Sequence, residues 1–460
     1  MRGILILVIY TVLMLAVTFI LAGKNKNNES FYVGNRKIGT LSSAMSIAAT
    51  WIWAPALFVS AEQAYTNGFI GLFWFLVPNV VCLLLFIPFA KRIRKQLPYG
   101  ITLSGYMFSK YKSKKVKGVY LFQLSLLTVF STGVQLLAGG KILSSITGLP
   151  FFVVTVILAL IAFSYSQISG IRASIITDSI QMMLILAACV ILVPWALKMN
   201  GINSVINGLG GISKESVSLF SKRGLEIFLS FGLPTAIGLI SGPFGDQCFW
   251  QRAFSVKESK IGKAFLLGGI LFAVVPASMG ILGFIAAGTG FIPSDKSVVN
   301  LELISGLFPP WVMVIFLFML ISGLLSTVDS NLCAASSLTT DICGTNKLRL
   351  SKVSMIILLI IGIAIANIPG LTVTELFLFY GTLRASTLLP TIMTLKNKKL
   401  TSKGIVTGVI VSLCMGLPIF AFGTVLNISL YKTIGSVITV ISSGLTAVII
   451  KGLEGRYNAR

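Results

Sequence analysis

The sequence predicts an all-α polytopic membrane protein of about 13 transmembrane helices, on three observations. Hydrophobic residues make up 55% of the 460 positions and charged residues only 11%, whereas soluble chains carry about 25% charged residues. Lys and Arg, 37 against 13 Asp and Glu, concentrate on alternate connections between the apolar runs. Two apolar runs, at corresponding places in the chain, are interrupted by proline and glycine.

Apolar runs of about 18 or more residues are spanning candidates. They fall at 3–22, 41–66, 71–90, 118–140, 149–167, 173–197, 225–245, 264–289, 310–338, 353–370, 373–395, 404–425 and 433–450. The first follows Arg2 as a signal peptide would. Its run from Ile4 to Ala22 is longer than the apolar stretch of a secretory signal, and no small-x-small cleavage site precedes the polar loop. It is expected to be a retained helix.

With the N-terminus placed outside, internal connections carry 28 basic residues and external ones 7. The internal set includes Lys24, Lys26, the cluster from Lys91 to Lys117, Arg252, Lys396 to Lys403, Arg456 and Arg460. This asymmetry is the positive-inside rule, so the C-terminus is expected in the cytoplasm. The net charge of +24 is thereby a topology device facing lipid, and nucleic acid is not an expected partner. The six cysteines are scattered without a CxxC pair, and histidine is absent. Neither a disulfide framework nor a zinc site is expected, and an embedded enzyme would lack its commonest general base.

The second run holds Ser46-Ile47-Ala48-Ala49-Thr50-Trp51-Ile52-Trp53-Ala54-Pro55, and the seventh holds Gly238 through Gly242-Pro243-Phe244-Gly245-Asp246. Proline removes a backbone donor and glycine tolerates unwound geometry. In lipid such freed backbone groups persist where they line a cavity or are covered by protein. Each broken run opens a set of five spans, and a matched pair of this kind marks a transporter's midplane site. Trp51, Trp53, Gln135 and Phe244 are the expected substrate-facing residues between the breaks.

Ionisable groups inside a span cost at least about 2.5–3.5 kcal/mol each on insertion scales. Asp178 lies in the sixth run and Asp329 in the ninth, where Gly323, Ser326, Thr327 and Ser330 share one helix face by spacing. A hard monovalent cation binds hydroxyl, carboxylate and freed carbonyl oxygens, and this face with the break near Pro55 offers them. Arg384, mid-way along the eleventh run, either neutralises a buried carboxylate such as Asp246 or binds a substrate carboxylate. Glu62, Glu226 and Glu375 are expected as solvated residues at outer ends of spans.

Three stretches carry a resemblance to the sodium:solute symporter family over nearly the whole chain. Phe31-Tyr32-Val33-Gly34-Asn35-Arg36 resembles its opening aromatic-x-x-Gly-Arg signature, with Asn35 inserted. Ser169-Gly170-Ile171-Arg172-Ala173 through Thr177-Asp178-Ser179-Ile180-Gln181 resembles its Gly-Gly-x-(Lys/Arg)-Ala…Thr-Asp-x-x-Gln motif, with Ser169 for the first glycine. Ser326-Thr327-Val328-Asp329-Ser330, followed by Asp341, is similar to its Ser-Thr-x-Asp-Ser…Asp signature. The resemblance implies the leucine-transporter type of fold, a five-plus-five inverted repeat with two broken helices. It implies a principal sodium site at Ala49, Ile52, Gly323, Ser326 and Thr327. It implies a second cation site at Asp178, Ser326, Asp329 and Ser330, where Asp329 replaces a smaller hydroxyl residue. Asp246 to Gln251, with the run from Leu378 to Pro390, resembles the urea-permease branch, a pattern from which Arg384 departs.

The expected plan is an extra helix and internal loop at 1–40, a first repeat at 41–200, a second repeat at 201–395 and two further helices with an internal tail at 396–460. The expected function is sodium-coupled import of a small polar organic solute across the plasma membrane, with sodium as coupling ion and no cofactor. The substrate is expected to be a urea-like amide or a small amino acid or carboxylate. A proton-coupled symporter of the same fold is the alternative.

Overall fold

The computed structural model describes residues 2–23, 27–214, 217–426 and 428–457, and within them no strand forms. Lys24, Lys26 and Arg460, and the side chains of Arg2 and Arg456, lie outside that description. The main helices are α1 Arg2–Val17, α2 Thr40–Trp51, α3 Ala54–Gln96, α4 Lys114–Thr147, α5 Phe151–Ser169, α6 Ile171–Asn200, α7 Leu233–Gly245, α8 Gln247–Ser255, α9 Ile261–Thr289, α10 Val312–Cys343, α11 Leu348–Ala366, α12 Val373–Ala385, α13 Leu388–Leu395, α14 Ser402–Val425 and α15 Ser429–Tyr457.

Hydroxyl caps start several of these helices where the sequence turns polar. Thr401 Oγ1 accepts from the Gly404 amide at 3.0 Å. Thr372 and Glu375 form a reciprocal capping box at the start of α12, which satisfies two donors that have no partner within the helix.

Among the described residues, 12 helices are long and apolar enough to cross a membrane, so the expected count of 13 does not carry over. The difference arises at residues 40–96. There α2 has only 12 residues, a rise of about 18 Å against a hydrocarbon core of about 30 Å. The next helix, α3, has 43 residues and is interrupted at Gly68, with φ 62° and ψ −148°. A side chain is disfavoured in that conformation, and a Cβ at Gly68 would stand 2.1 Å from the Leu209 carbonyl oxygen. The Phe69 amide donates to that same oxygen at 2.8 Å, seating the interruption on the loop after the short helical segment 202–208.

Helix α10 is the centre of the molecule, with 78% of its most apolar window buried, while the windows of α1 and α11 are 28% buried. Ile356, Ile360, Leu445 and Val448 accordingly expose apolar side chains on the periphery, which lipid accommodates and water would not. The chain is a multi-pass membrane protein. Helices α14 and α15 meet through small residues, with Gly408 against the Ser443 carbonyl and Gly416 against Thr439, the close approach that drives helix association in lipid.

Candidate functional site

Both expected interruptions occur. Between α2 and α3, Ile52 (φ −81°, ψ 74°) and Trp53 (φ −95°, ψ 176°) leave the helical conformation. Pro55 follows in the first turn of α3, where a missing N–H leaves no bond unmade. The second break lies at Asp246 (φ −97°, ψ 120°), between α7 and α8. It falls after the expected Gly242-Pro243, because α7 continues through both. Gly242 instead makes room for an aromatic ring: its Cβ would lie 2.3 Å from Trp51 Cη2.

Each break has a side chain that satisfies the backbone it frees. Gln135 Oε1 accepts from the Ala54 amide at 2.8 Å, and Trp250 Nε1 donates to the Phe244 carbonyl at 2.8 Å. Such substitutes keep an unwound segment stable away from water. Gln135 is thus a cap on the first break, and Phe244 packs on Phe86, Phe89 and Trp250. Neither lines the cavity between the breaks.

That cavity is about 10 Å³ in volume and is walled by Trp51 and Trp53 from the first break and by Asp246, Cys248 and Phe249 from the second. Thr50 of α2, Ser131 of α4, Thr327 and Asn331 of α10 and Arg384 of α12 complete it. The space is about that of one water molecule, so the site is closed around its centre. Of the two alternatives for Arg384, the structure shows the pairing with Asp246. Arg384 Nη2 donates to Asp246 Oδ2 at 2.5 Å and Nε donates to Oδ1 at 3.3 Å. Tyr380 adds its hydroxyl to Oδ1 at 2.7 Å. The guanidinium also stacks 3.8 Å from the Tyr380 ring centre and 5.0 Å from that of Trp53, a cation–π arrangement strengthened by exclusion of water.

The oxygen-bearing face of α10 turns inward, with Gly323, Ser326, Thr327, Asp329 and Ser330 all buried. Thr327 Oγ1 donates to the Thr50 carbonyl at 3.1 Å. Gly323 lies against the first break, so that its Cβ would stand 3.1 Å from the Ile52 carbonyl oxygen. The Ala49 carbonyl, one turn back, is shared with the Ile52 amide at 3.1 Å. Ser326 Oγ is buried with no hydrogen-bond partner of acceptable geometry. Buried hydroxyls on a helix face that lies against backbone carbonyls at a helix break are chemistry that suits a small hard cation.

One turn further along α10, two carboxylates stand close together. Asp178 Oδ2 accepts from Ser46 at 2.5 Å and from Arg252 Nη2 at 2.9 Å, while Oδ1 is buried and has no hydrogen-bond partner of acceptable geometry. Asp329 accepts from Tyr165 at 2.9 Å and from Ser174 at 2.7 Å. Arg252 also donates to Ser330 Oγ at 2.6 Å. The residues expected at a second cation site are therefore brought together, with a guanidinium among them that sequence reasoning had assigned to an internal loop. Arg252 is only 1% exposed. Its signal in the sequence is the unmatched pair of buried carboxylates, which demands a counter-charge.

Glu62 also departs from expectation: it is largely buried. It borders a second cavity of about 280 Å³ with Lys141 and Asp295. Glu226 and Glu375 are surface residues, as expected.

The basic face is sealed beneath the breaks. Ile38, just before α2, pairs with Val256, just after α8. Arg36 donates to the Gly100 and Tyr99 carbonyls at 2.8 and 3.0 Å. Asp341, at the end of α10, accepts from Ser104 at 2.6 Å and pairs with Lys117 at 3.2 Å.

Comparison with known proteins agrees with this architecture. The chain is 26% identical over 359 residues to a probable urea active transporter 2 of Schizosaccharomyces pombe, matching 72% of this chain and 53% of that protein, so it spans about half that relative's length. It is 26% identical over 430 residues to a sodium/pantothenate symporter of Haemophilus influenzae, covering 87% of this chain and 85% of that protein. The solved outward-open structure of a Na+-coupled sialic acid symporter superposes with a TM-score of 0.80 over 98% of both chains, at 15% identity. That likeness shows the fold, which is the leucine-transporter type. These relatives are transporters rather than enzymes. The sodium:solute symporter family profile matches residues 31–412, and the chain belongs to that family.

Proposed function

We propose that the protein is a secondary active symporter that uses a sodium gradient to import a small polar organic solute by alternating access. The observation that carries this reading is the buried hydroxyl face of α10 set against the first helix break, where Thr327 Oγ1 meets the Thr50 carbonyl and Gly323 lies against the Ile52 carbonyl. Sodium bound by Ala49, Ile52, Gly323, Ser326 and Thr327 would tie α10 to the break between α2 and α3. Its binding energy then favours one arrangement of these helices over the other, which is what coupling requires. Trp51, Trp53 and Arg384 would contact the solute. The repeats are taken as 41–200 and 201–395, with the N-terminus outside and the C-terminus cytoplasmic in the plasma membrane.

A proton-coupled version is favoured by one observation. Asp329 is held by the hydroxyls of Tyr165 and Ser174 and has no hydrogen bond from a guanidinium. Uptake into proteoliposomes separates the two readings. An inward sodium gradient at equal pH on both sides is expected to drive accumulation, and a proton gradient without sodium is not. Accumulation driven by the proton gradient alone would replace sodium with the proton at Asp329.

A further inference from the structure

A cavity of about 400 Å³ lies on the basic face and shares no residue with the one between the helix breaks. Lys110 and Tyr111, at the end of the short helix Leu103–Tyr111, form one side of it. Asn397, Lys398, Lys399 and Leu400, in the turn between α13 and α14, form the other. Three of these residues are lysines and none is acidic. Among the described residues no carboxylate forms an ion pair with Lys110, Lys398 or Lys399. The carboxylate at the end of α10, Asp341, is taken by Lys117. Cations gathered around one concavity repel one another, and a bound anion relieves that repulsion.

The backbone beneath the lysines is fixed. The Lys396, Asn397 and Lys398 amides donate to the Ile392, Thr394 and Met393 carbonyls at 2.9, 3.0 and 2.9 Å. Asn397 adopts φ 58°, a left-handed conformation in which asparagine is enriched. Its side-chain oxygen accepts from Lys110 Nζ at 3.3 Å and from Gln96 Nε2 at 3.2 Å, joining the short helix and the end of α3 to the turn. The Tyr111 hydroxyl adds a bond of 2.9 Å with Thr394 Oγ1. The charged wall is therefore preformed, which lowers the ordering cost of binding.

The turn also stands at the edge of the bundle. Helix α14, which it starts, has only 33% of its most apolar window buried, and Ile410, Met415 and Phe422 expose apolar side chains along it. A helix of that kind faces lipid, so its basic end meets the headgroup layer. Basic pockets between membrane helices suit phosphate-bearing headgroups, and lysine binds phosphate as a compact charge with three donors.

We infer that this cavity is a binding site for a phosphate-bearing anion, held by Lys110, Lys398 and Lys399 and supplied either by a lipid headgroup or from solution. The bound anion bridges the short helix after α3 to the turn between α13 and α14. The inference is independent of the coupling ion and of the transported solute.

The test is the thermal midpoint of the purified full chain in a nonionic detergent, followed by tryptophan fluorescence at constant ionic strength. The probes are phosphatidylglycerol, phosphatidylcholine (no net charge), glycerol 3-phosphate, inorganic phosphate and chloride. A ligand that binds the folded form raises the midpoint with its concentration. Phosphatidylglycerol or a soluble phosphate is expected to raise it by several degrees, and phosphatidylcholine and chloride are not. A response to phosphatidylglycerol alone assigns the site to a lipid headgroup; a response to the soluble phosphates assigns it to a free anion. Lys398→Gln combined with Lys399→Gln is expected to raise the half-maximal probe concentration about tenfold or more. Lys114→Gln combined with Lys115→Gln removes the same charge from exposed positions outside the cavity, and is expected to change that concentration less than about twofold. A midpoint near the parent value without probe identifies a folded variant. No response to any anionic phosphate probe, an equal response to phosphatidylcholine, or equal weakening in the two double variants overturns the inference.

Discussion

Arg252 of α8 donates to Asp178 of α6 at 2.9 Å, with the two side chains 1% and 0% exposed. Through Ser46 and Ser330, at 3.0 and 2.6 Å, the same guanidinium reaches α2 and α10. The Arg252 guanidinium thereby joins α8, which follows the second break, to α2, which precedes the first. Breaking a buried pair by removing one partner costs about 3–5 kcal/mol, because the other charge remains without compensation. Asp178→Asn is expected to lower the thermal midpoint of the detergent-solubilised protein by several degrees. Asp178→Asn combined with Arg252→Gln is expected to recover part of that loss. A double variant less stable than the sum of the two single ones would contradict the pairing.

Gly323 offers a test that separates the cation cradle from general packing. Alanine in place of a mid-helix glycine ordinarily stabilises a helix by about 1 kcal/mol. At Gly323 the added carbon would lie 2.9 Å from Leu57 Cδ1 and 3.1 Å from the Ile52 carbonyl oxygen, whereas at Gly269 its nearest neighbour is 3.8 Å away. Gly323→Ala is expected to raise the sodium concentration for half-maximal uptake about tenfold or more, a loss of about 1.4 kcal/mol in binding. Gly269→Ala is expected to leave it unchanged. Equal behaviour of the two variants would remove Gly323 from the site.

Cys248 borders the central cavity and is 5% exposed, while Cys343 and Cys414 are exposed. With those two replaced by serine, modification of Cys248 by a small thiol reagent reports opening of the cavity. Labelling is expected to slow at least about fivefold when solute and sodium are both bound, as the occupied site closes over the thiol. A rate independent of both ligands would show that the cavity is not the transport site.

Much of this architecture is legible in the sequence. Apolar runs mark the spans because lipid leaves no other solution for the backbone. The break at Ile52 and Trp53 announces itself through Pro55, and Asp178 and Asp329 stand out as carboxylates in apolar surroundings. The second break is displaced because Gly242, read as a point of unwinding, is a packing position for Trp51. Arg252 looks like a loop charge because α8 is short and polar; its burial follows from Asp178 and Ser330, 74 and 78 residues away in the chain. The interruption at Gly68 depends on a contact with Leu209, which no local pattern encodes. The role of Gln135 likewise depends on the amide freed at Ala54, a partner that only the folded break supplies.

The sodium-activation curve of uptake in the Ser326→Ala and Thr327→Ala variants bears most directly on the central claim. The account predicts that either change raises the half-activating sodium concentration about tenfold or more, with the maximal rate approached at high sodium. Curves that overlay the parent protein in both variants would place the coupling ion elsewhere.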